Sequence, residues 1–192
     1  MPSKKTRTPF ELDFFYHIYN RGVNKERIFA NPDNYNHFLY LYQENISVYV
    51  ETFAFCLITN HFHFLIRIKE DIDIKDFNRG LRTWLVKYVM YFNNQESRVG
   101  GLLTRPINRI KVHDIKYLKK LIHYIHMNPV KHGLTKSFQN YKYSSFNSIL
   151  RGSGKIIAMP EVLEFFNGSI EEFIEFHWKE NKYYEMDKIF LE

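Results

Sequence analysis

Two histidines flank a phenylalanine in Asn60-His61-Phe62-His63-Phe64-Leu65-Ile66, inside a run that otherwise reads as buried strand. Side chains alternate between the faces of a strand, so Phe62, Phe64, Ile66 and Ile68 point one way, into a core. His61 and His63 point the other way, on a polar face that they share with Leu65, Arg67 and Lys69. Neutral imidazole ligates divalent ions well, and side chains two apart on a strand are close enough to share one. Taken alone, such a pair on a strand is more often structural than ligating.

A second set of reactive groups lies in YLKKLIHYIHMNPVKHG, residues 117–133. At helical spacing Leu118, Leu121, Ile122 and Ile125 make one apolar face. Lys116, Lys119, Lys120, His123 and His126 occupy the opposite arc, and Tyr117, Tyr124 and Asn128 share a shoulder between the two. Tyr124 and Asn128 stand at i and i+4, so a phenol and an amide lie one above the other. In a chain with 14 tyrosines, one on a helix shoulder ordinarily packs.

The elements that would position these groups are legible. Residues 14–20 predict a strand that stops at Arg21-Gly22. Tyr35, Phe38, Leu39 and Tyr42 predict a helix from Pro32 to about residue 49. Residues 50–58 and 61–69 predict two strands joined by the short turn Thr59-Asn60, a hairpin. Phe77, Leu81, Trp84, Leu85, Tyr88 and Phe92 predict a long helix over 74–93. Residues 106–113 alternate as a fourth strand, and Asp114 caps a helix over 115–128 that Pro129 should end. The order β-α-β-β-α-β-α predicts an α+β domain: a ferredoxin-like antiparallel sheet with helices on one face. This sheet domain would occupy residues 1–150. Gly152-Ser153-Gly154 then reads as a linker to an acidic helical extension, 151–192, with a helix beginning at Pro160 and a capping box at residues 169–172 opening another.

Composition narrows the chemistry. The chain has 192 residues, 45% hydrophobic and 18% aromatic, enough for one well-packed domain. A single cysteine, Cys56, excludes a disulfide framework or a thiolate cluster within the chain and suits a reducing cytoplasm. No apolar stretch has the length of a membrane span, and the basic opening carries no apolar leader. No GxxxxGK loop points to nucleotide hydrolysis. Charge is strongly divided. Residues 161–192 hold nine acids and three lysines, whereas 98–155 hold twelve Lys/Arg against the single acid Asp114. So basic a segment suggests a polyanionic partner, and without a basic amphipathic helix bearing an aromatic face, nucleic acid fits better than a membrane.

Together the blocks resemble the single-tyrosine HUH transposases, and among them the REP-associated tyrosine transposase-like group. His61-Phe62-His63 is similar to the family's histidine–bulky–histidine motif, and FCLITNHFHFLI to the element carrying it. YHIYNRGVNKERIF resembles the family's first strand and turn, YIHMNPVKHGL the segment with the nucleophilic tyrosine, and YKYSSF a block that follows it. The likeness spans about residues 14–150, in the expected order; Thr59 stands where many relatives carry proline. The resemblance implies Tyr124 as nucleophile, His61 and His63 as ligands of Mg²⁺ or Mn²⁺, and Asn128 as a third polar ligand.

The expected activity is metal-dependent cleavage and strand transfer on single-stranded or hairpin DNA through a 5′-phosphotyrosine. Arg21, Lys25, Arg105, Arg109, Lys111, Lys131 and Lys142 are the candidate DNA contacts, by charge and position. A nicking initiator or relaxase would use the same chemistry, and a DNA-binding protein that retained only the fold would keep the charge without the cleavage. Monomer and homodimer both remain open.

Overall fold

The computed structural model describes residues 8–180. Four strands form one antiparallel sheet: β1 (Phe15–Arg21), β2 (Val50–Ile58), β3 (His61–Ile68) and β4 (Asn108–Val112), in the order β2-β3-β1-β4. Strand β3, which carries His61 and His63, is therefore central, flanked by β2 through the Thr59-Asn60 turn and by β1, which pairs Arg21 with His61 and Tyr19 with His63.

The ferredoxin-like expectation stands, and α1 (Pro32–Asn45) and α2 (Ile74–Gln95) do share one face. Asn31 and Asn34 cap α1 reciprocally, with Pro32 at its first position, where the missing N–H costs nothing. Phe77, Leu81, Trp84, Tyr88 and Phe92 form the buried stripe of α2 and meet Phe38, Tyr42, Phe62 and Phe64. At Gly80 an added Cβ would run into the Asn45 carbonyl, so glycine permits the close approach of α1 and α2.

The opposite face is not open. It carries α3 (Ile115–Lys131), followed by α4 (Phe146–Leu150), α5 (Met159–Glu164) and α6 (Ile170–Glu180). Phe53, Ala54, Cys56, Ile58, Leu65 and Val112 of the sheet form a second core with Leu118, Leu121, Ile122 and Ile125 of α3. A bulge between Thr52 and Ala54 lets Phe53 and Ala54 both face this core. The face expected to be polar is thus buried around the histidines: His61 is 7% exposed and His63 1%. Only toward its end does it open to charge, where Arg67 pairs with Glu51 at 2.5 Å.

Two more expectations change. Pro129 does not end α3, which runs on to Lys131. The proline falls in the last turn and forfeits only its own hydrogen bond, while the His132 N–H donates to the Asn128 carbonyl at 3.0 Å and the Leu134 N–H to that of Pro129 at 2.8 Å. Nor does the arc bearing His123 and His126 face water, because α6 lies across it with Phe173 and His177. Val162, Phe166 and Phe173 bring α5 and α6 into the second core. Residues 181–192 of the acidic extension lie outside the described residues.

A directional chain of polar groups runs through this second core. His177 Nδ1–H donates to the Phe173 carbonyl at 2.8 Å, so its Nε2 accepts from His126 Nδ1–H at 2.9 Å. His126 Nε2 in turn accepts from the Ser145 hydroxyl at 2.7 Å, and the Phe55 N–H donates to Ser145 Oγ at 2.9 Å. Every bond in this order requires neutral imidazoles.

Candidate active site

Strand β3 places its two histidines by alternation, and the neighbouring groups fix how each ring presents its nitrogens. Asn60 donates through Nδ2 to the Lys25 carbonyl at 3.3 Å, which turns its Oδ1 toward His61 Nδ1 at 2.8 Å. An amide oxygen only accepts, so the His61 hydrogen sits on Nδ1 and the lone pair on Nε2. The His61 and His63 rings lie 5.0 Å apart at 88°. His63 Nδ1 shares a 2.9 Å hydrogen bond with His17 Nε2, from the next strand. Tyr19, two residues along β1, stacks on both His17 and His63, at 4.9 and 5.7 Å.

Helix α3 supplies the phenol. Asp114 caps its start by accepting from the Lys116 N–H at 2.8 Å, and the apolar stripe presses the helix onto β2 and β3. This sets the Tyr124 ring 5.9 Å from that of His63 and 6.4 Å from that of His17, edge to face. Lys131, two turns on, holds its ammonium 4.4 Å over the Tyr124 ring. Asn128 is fully buried; its Nδ2 donates to the Tyr124 carbonyl at 3.0 Å, while its Oδ1 is buried and, among the described residues, meets no donor. His132, which caps α3, puts its ring 4.7 Å from that of His61.

Tyr124 therefore meets His63 across the β3–α3 interface, with His61 beside His63 and Asn128 buried one turn beyond Tyr124 on α3. Among the described residues, no group of three or more histidine, cysteine or carboxylate side chains is placed to hold a metal ion. A donor set of two imidazoles and one amide oxygen suits a divalent ion that keeps positions open for a phosphate, and the buried, donorless Asn128 oxygen is consistent with such a role.

The candidate DNA contacts separate. Arg21 and Lys25 are exposed at the His61 end of the sheet, and Lys131 stands over the phenol. Arg105 and Arg109 line a groove of about 650 Å³ between α2 and residues 100–109. Arg109 is also occupied internally: its Nε donates to the Thr8 carbonyl at 2.5 Å and its guanidinium stacks 4.7 Å over Phe10. Lys111 pairs with Glu11 at 2.7 Å and lies 3.2 Å over Phe14, pinning residues 10–14 to the sheet edge. Lys142 sits 5.6 Å over Tyr143.

His17, Tyr19, Asn60 and His132 escape a reading of the sequence as site residues. Asn60 carries the one available signal, since it directly precedes His61. The others depend on strand register and on where α3 ends.

No family model matches the chain. A Haemophilus influenzae protein described as a REP-associated tyrosine transposase is 31% identical over 123 residues, 60% of this chain and 70% of the relative. The solved structure of a REP-associated tyrosine transposase bound to a REP hairpin shares the fold, with a TM-score of 0.56 over 84% of this chain and 93% of that one, at 16% identity. Among the described residues, no helix is long and apolar enough to cross a membrane.

Proposed function

Because the chain belongs to the REP-associated tyrosine transposase family, we propose that it cuts and rejoins single-stranded or hairpin-bearing DNA through a covalent link to Tyr124. The observation that carries this reading is the meeting of Tyr124 with the His61–His63 pair across the β3–α3 interface. The Tyr124 oxygen attacks a backbone phosphorus, an O–P bond forms, and the 3′-oxygen leaves and takes up a proton. The product is a 5′-phosphotyrosine with a free 3′-hydroxyl. A 3′-hydroxyl from another strand then attacks the same phosphorus and expels the tyrosine. One phosphodiester is exchanged for another, so no nucleotide is hydrolysed.

His61 Nε2, His63 Nε2 and Asn128 Oδ1 would hold Mg²⁺ or Mn²⁺, which supplies Lewis-acid polarisation of the phosphate and of the leaving oxygen. Mn²⁺ accepts imidazole more readily than Mg²⁺ does and would support the higher activity. Phenol ordinarily titrates near pH 10. The Lys131 ammonium beside the ring favours the charge that develops on the oxygen as it is deprotonated. Arg21 and Lys25 would lead the strand to the site as phosphate contacts. The lone Cys56 is buried and fits work in a reducing cytoplasm.

The test is to incubate the protein with labelled hairpin-bearing single-stranded DNA from beside its own gene and Mn²⁺. A labelled band surviving denaturing electrophoresis, absent in EDTA and in His61→Ala, supports the reading. Salt-sensitive binding with no adduct on any hairpin would replace it with that of a DNA-binding protein.

A further inference from the structure

We propose that His17 is a positioning residue for the site: its Nε2 accepts a hydrogen bond from His63 Nδ1–H and thereby fixes His63 with its lone pair on Nε2. The inference rests on the reading of His63 as a metal ligand and adds a residue to it. The two rings share one hydrogen bond of 2.9 Å, buried, between residues 46 apart in sequence. A neutral imidazole carries one hydrogen, so the bond has two directions. If His17 donates, the His63 hydrogen is forced onto Nε2, and the nitrogen a ligand needs is blocked. If His63 donates, Nε2 is a base and His17 carries its own hydrogen on Nδ1.

The neighbouring ligand shows the same arrangement. Asn60 Oδ1 can only accept from His61 Nδ1–H, which leaves His61 Nε2 basic. The two histidines form a matched pair only if His17 also accepts. Imidazole ligands ordinarily donate their second N–H to an acceptor that sets tautomer and orientation. In this role a histidine stands where a carboxylate or carbonyl is usual, so the pair stays neutral. Packing holds the geometry: His17 and His63 stack at 5.1 Å and 21°, and Tyr19 lies against both.

Long-range proton–nitrogen NMR of ¹⁵N-histidine-labelled, metal-free full-length protein reads the tautomer without any activity. His63 is expected to show a protonated Nδ1 and a basic Nε2; the reverse pattern overturns the proposal. Mn²⁺ titration by calorimetry, without DNA, then tests the consequence. His17→Gln keeps an acceptor oxygen and should bind Mn²⁺ within a few-fold of the native protein, whereas His17→Phe should bind it roughly 10–100-fold more weakly. Equal Mn²⁺ affinity in the native and Phe proteins would overturn the role of His17 and leave the metal site standing. A native protein that binds no Mn²⁺ would overturn the metal reading and the role of His17 with it.

Discussion

Acid should weaken the fold through the histidines buried between α3 and α6. Burial drives the His177 imidazole down to about 3, with His123 alongside pushing the same way. Burial, then the Lys131 charge, brings His123 to about 4, and burial holds His126 well below its usual value. In the unfolded chain each returns to about 6.5. Between the two values the unfolded state binds more protons than the native one, so stability is full above about pH 6.5 and is lost as pH falls. At pH 5 the unfolded state gains about 2 kcal/mol from each such histidine, or about 4 kcal/mol from His177 and His123 together. That is a large part of the 5–15 kcal/mol ordinarily available to a domain. Urea unfolding at pH 7, 6 and 5 should show the midpoint falling by on the order of 2 M, with most of the loss below pH 6.5. His177→Gln still accepts from His126 Nδ1–H but no longer titrates, and should recover the roughly 2 kcal/mol that His177 itself loses. A midpoint constant from pH 7 to 5, or one falling equally in His177→Gln, would refute this account of the second core.

Three other outcomes follow from the same geometry. Ser145→Ala leaves His126 Nε2 and the Phe55 N–H buried without their partner and should cost about 1–3 kcal/mol in denaturant unfolding. Gly80→Ala sets a methyl against the Asn45 carbonyl and should destabilise by about 1–3 kcal/mol although alanine is the better helix former; a stabilised variant would show that α1 and α2 are free to separate. Arg21→Ala and Lys25→Ala should each weaken binding to single-stranded DNA and lower the slope of log affinity against log salt by about 0.7, while Lys111→Ala, already paired with Glu11, should leave the slope unchanged.

Much of the candidate site's layout was readable because it depends on local periodicity. Alternation alone puts His61 and His63 on one face of β3, and helical spacing alone sets Tyr124 above Asn128 on α3. What escaped depends on residues distant in sequence. The His17–His63 bond requires the β1–β3 register, which nothing within either strand specifies. The His123–His126 arc looks solvated because histidine is polar and lysines lie beside it; only the docking of α6 shows that these rings are core. The expected polar face of β3 was misread for a related reason: a strand pattern says which residues share a face, not whether a helix will cover it. Pro129 misled at the end of α3 because a proline in the last turn removes one bond rather than the helix. Arg109 and Lys111 show the limit of charge as a guide, since both are engaged by residues 8–14.

The central claim is that Tyr124, and no other of the chain's tyrosines, takes the phosphate. The direct measurement is to digest the DNA-linked protein with protease and nuclease and to locate the residual nucleotide by mass spectrometry. The account predicts a 5′-phosphonucleotide on the peptide containing Tyr124, lost in Tyr124→Phe while DNA binding persists. The nucleotide on Tyr117, Tyr19 or any other residue, or an adduct that survives in Tyr124→Phe, would contradict it.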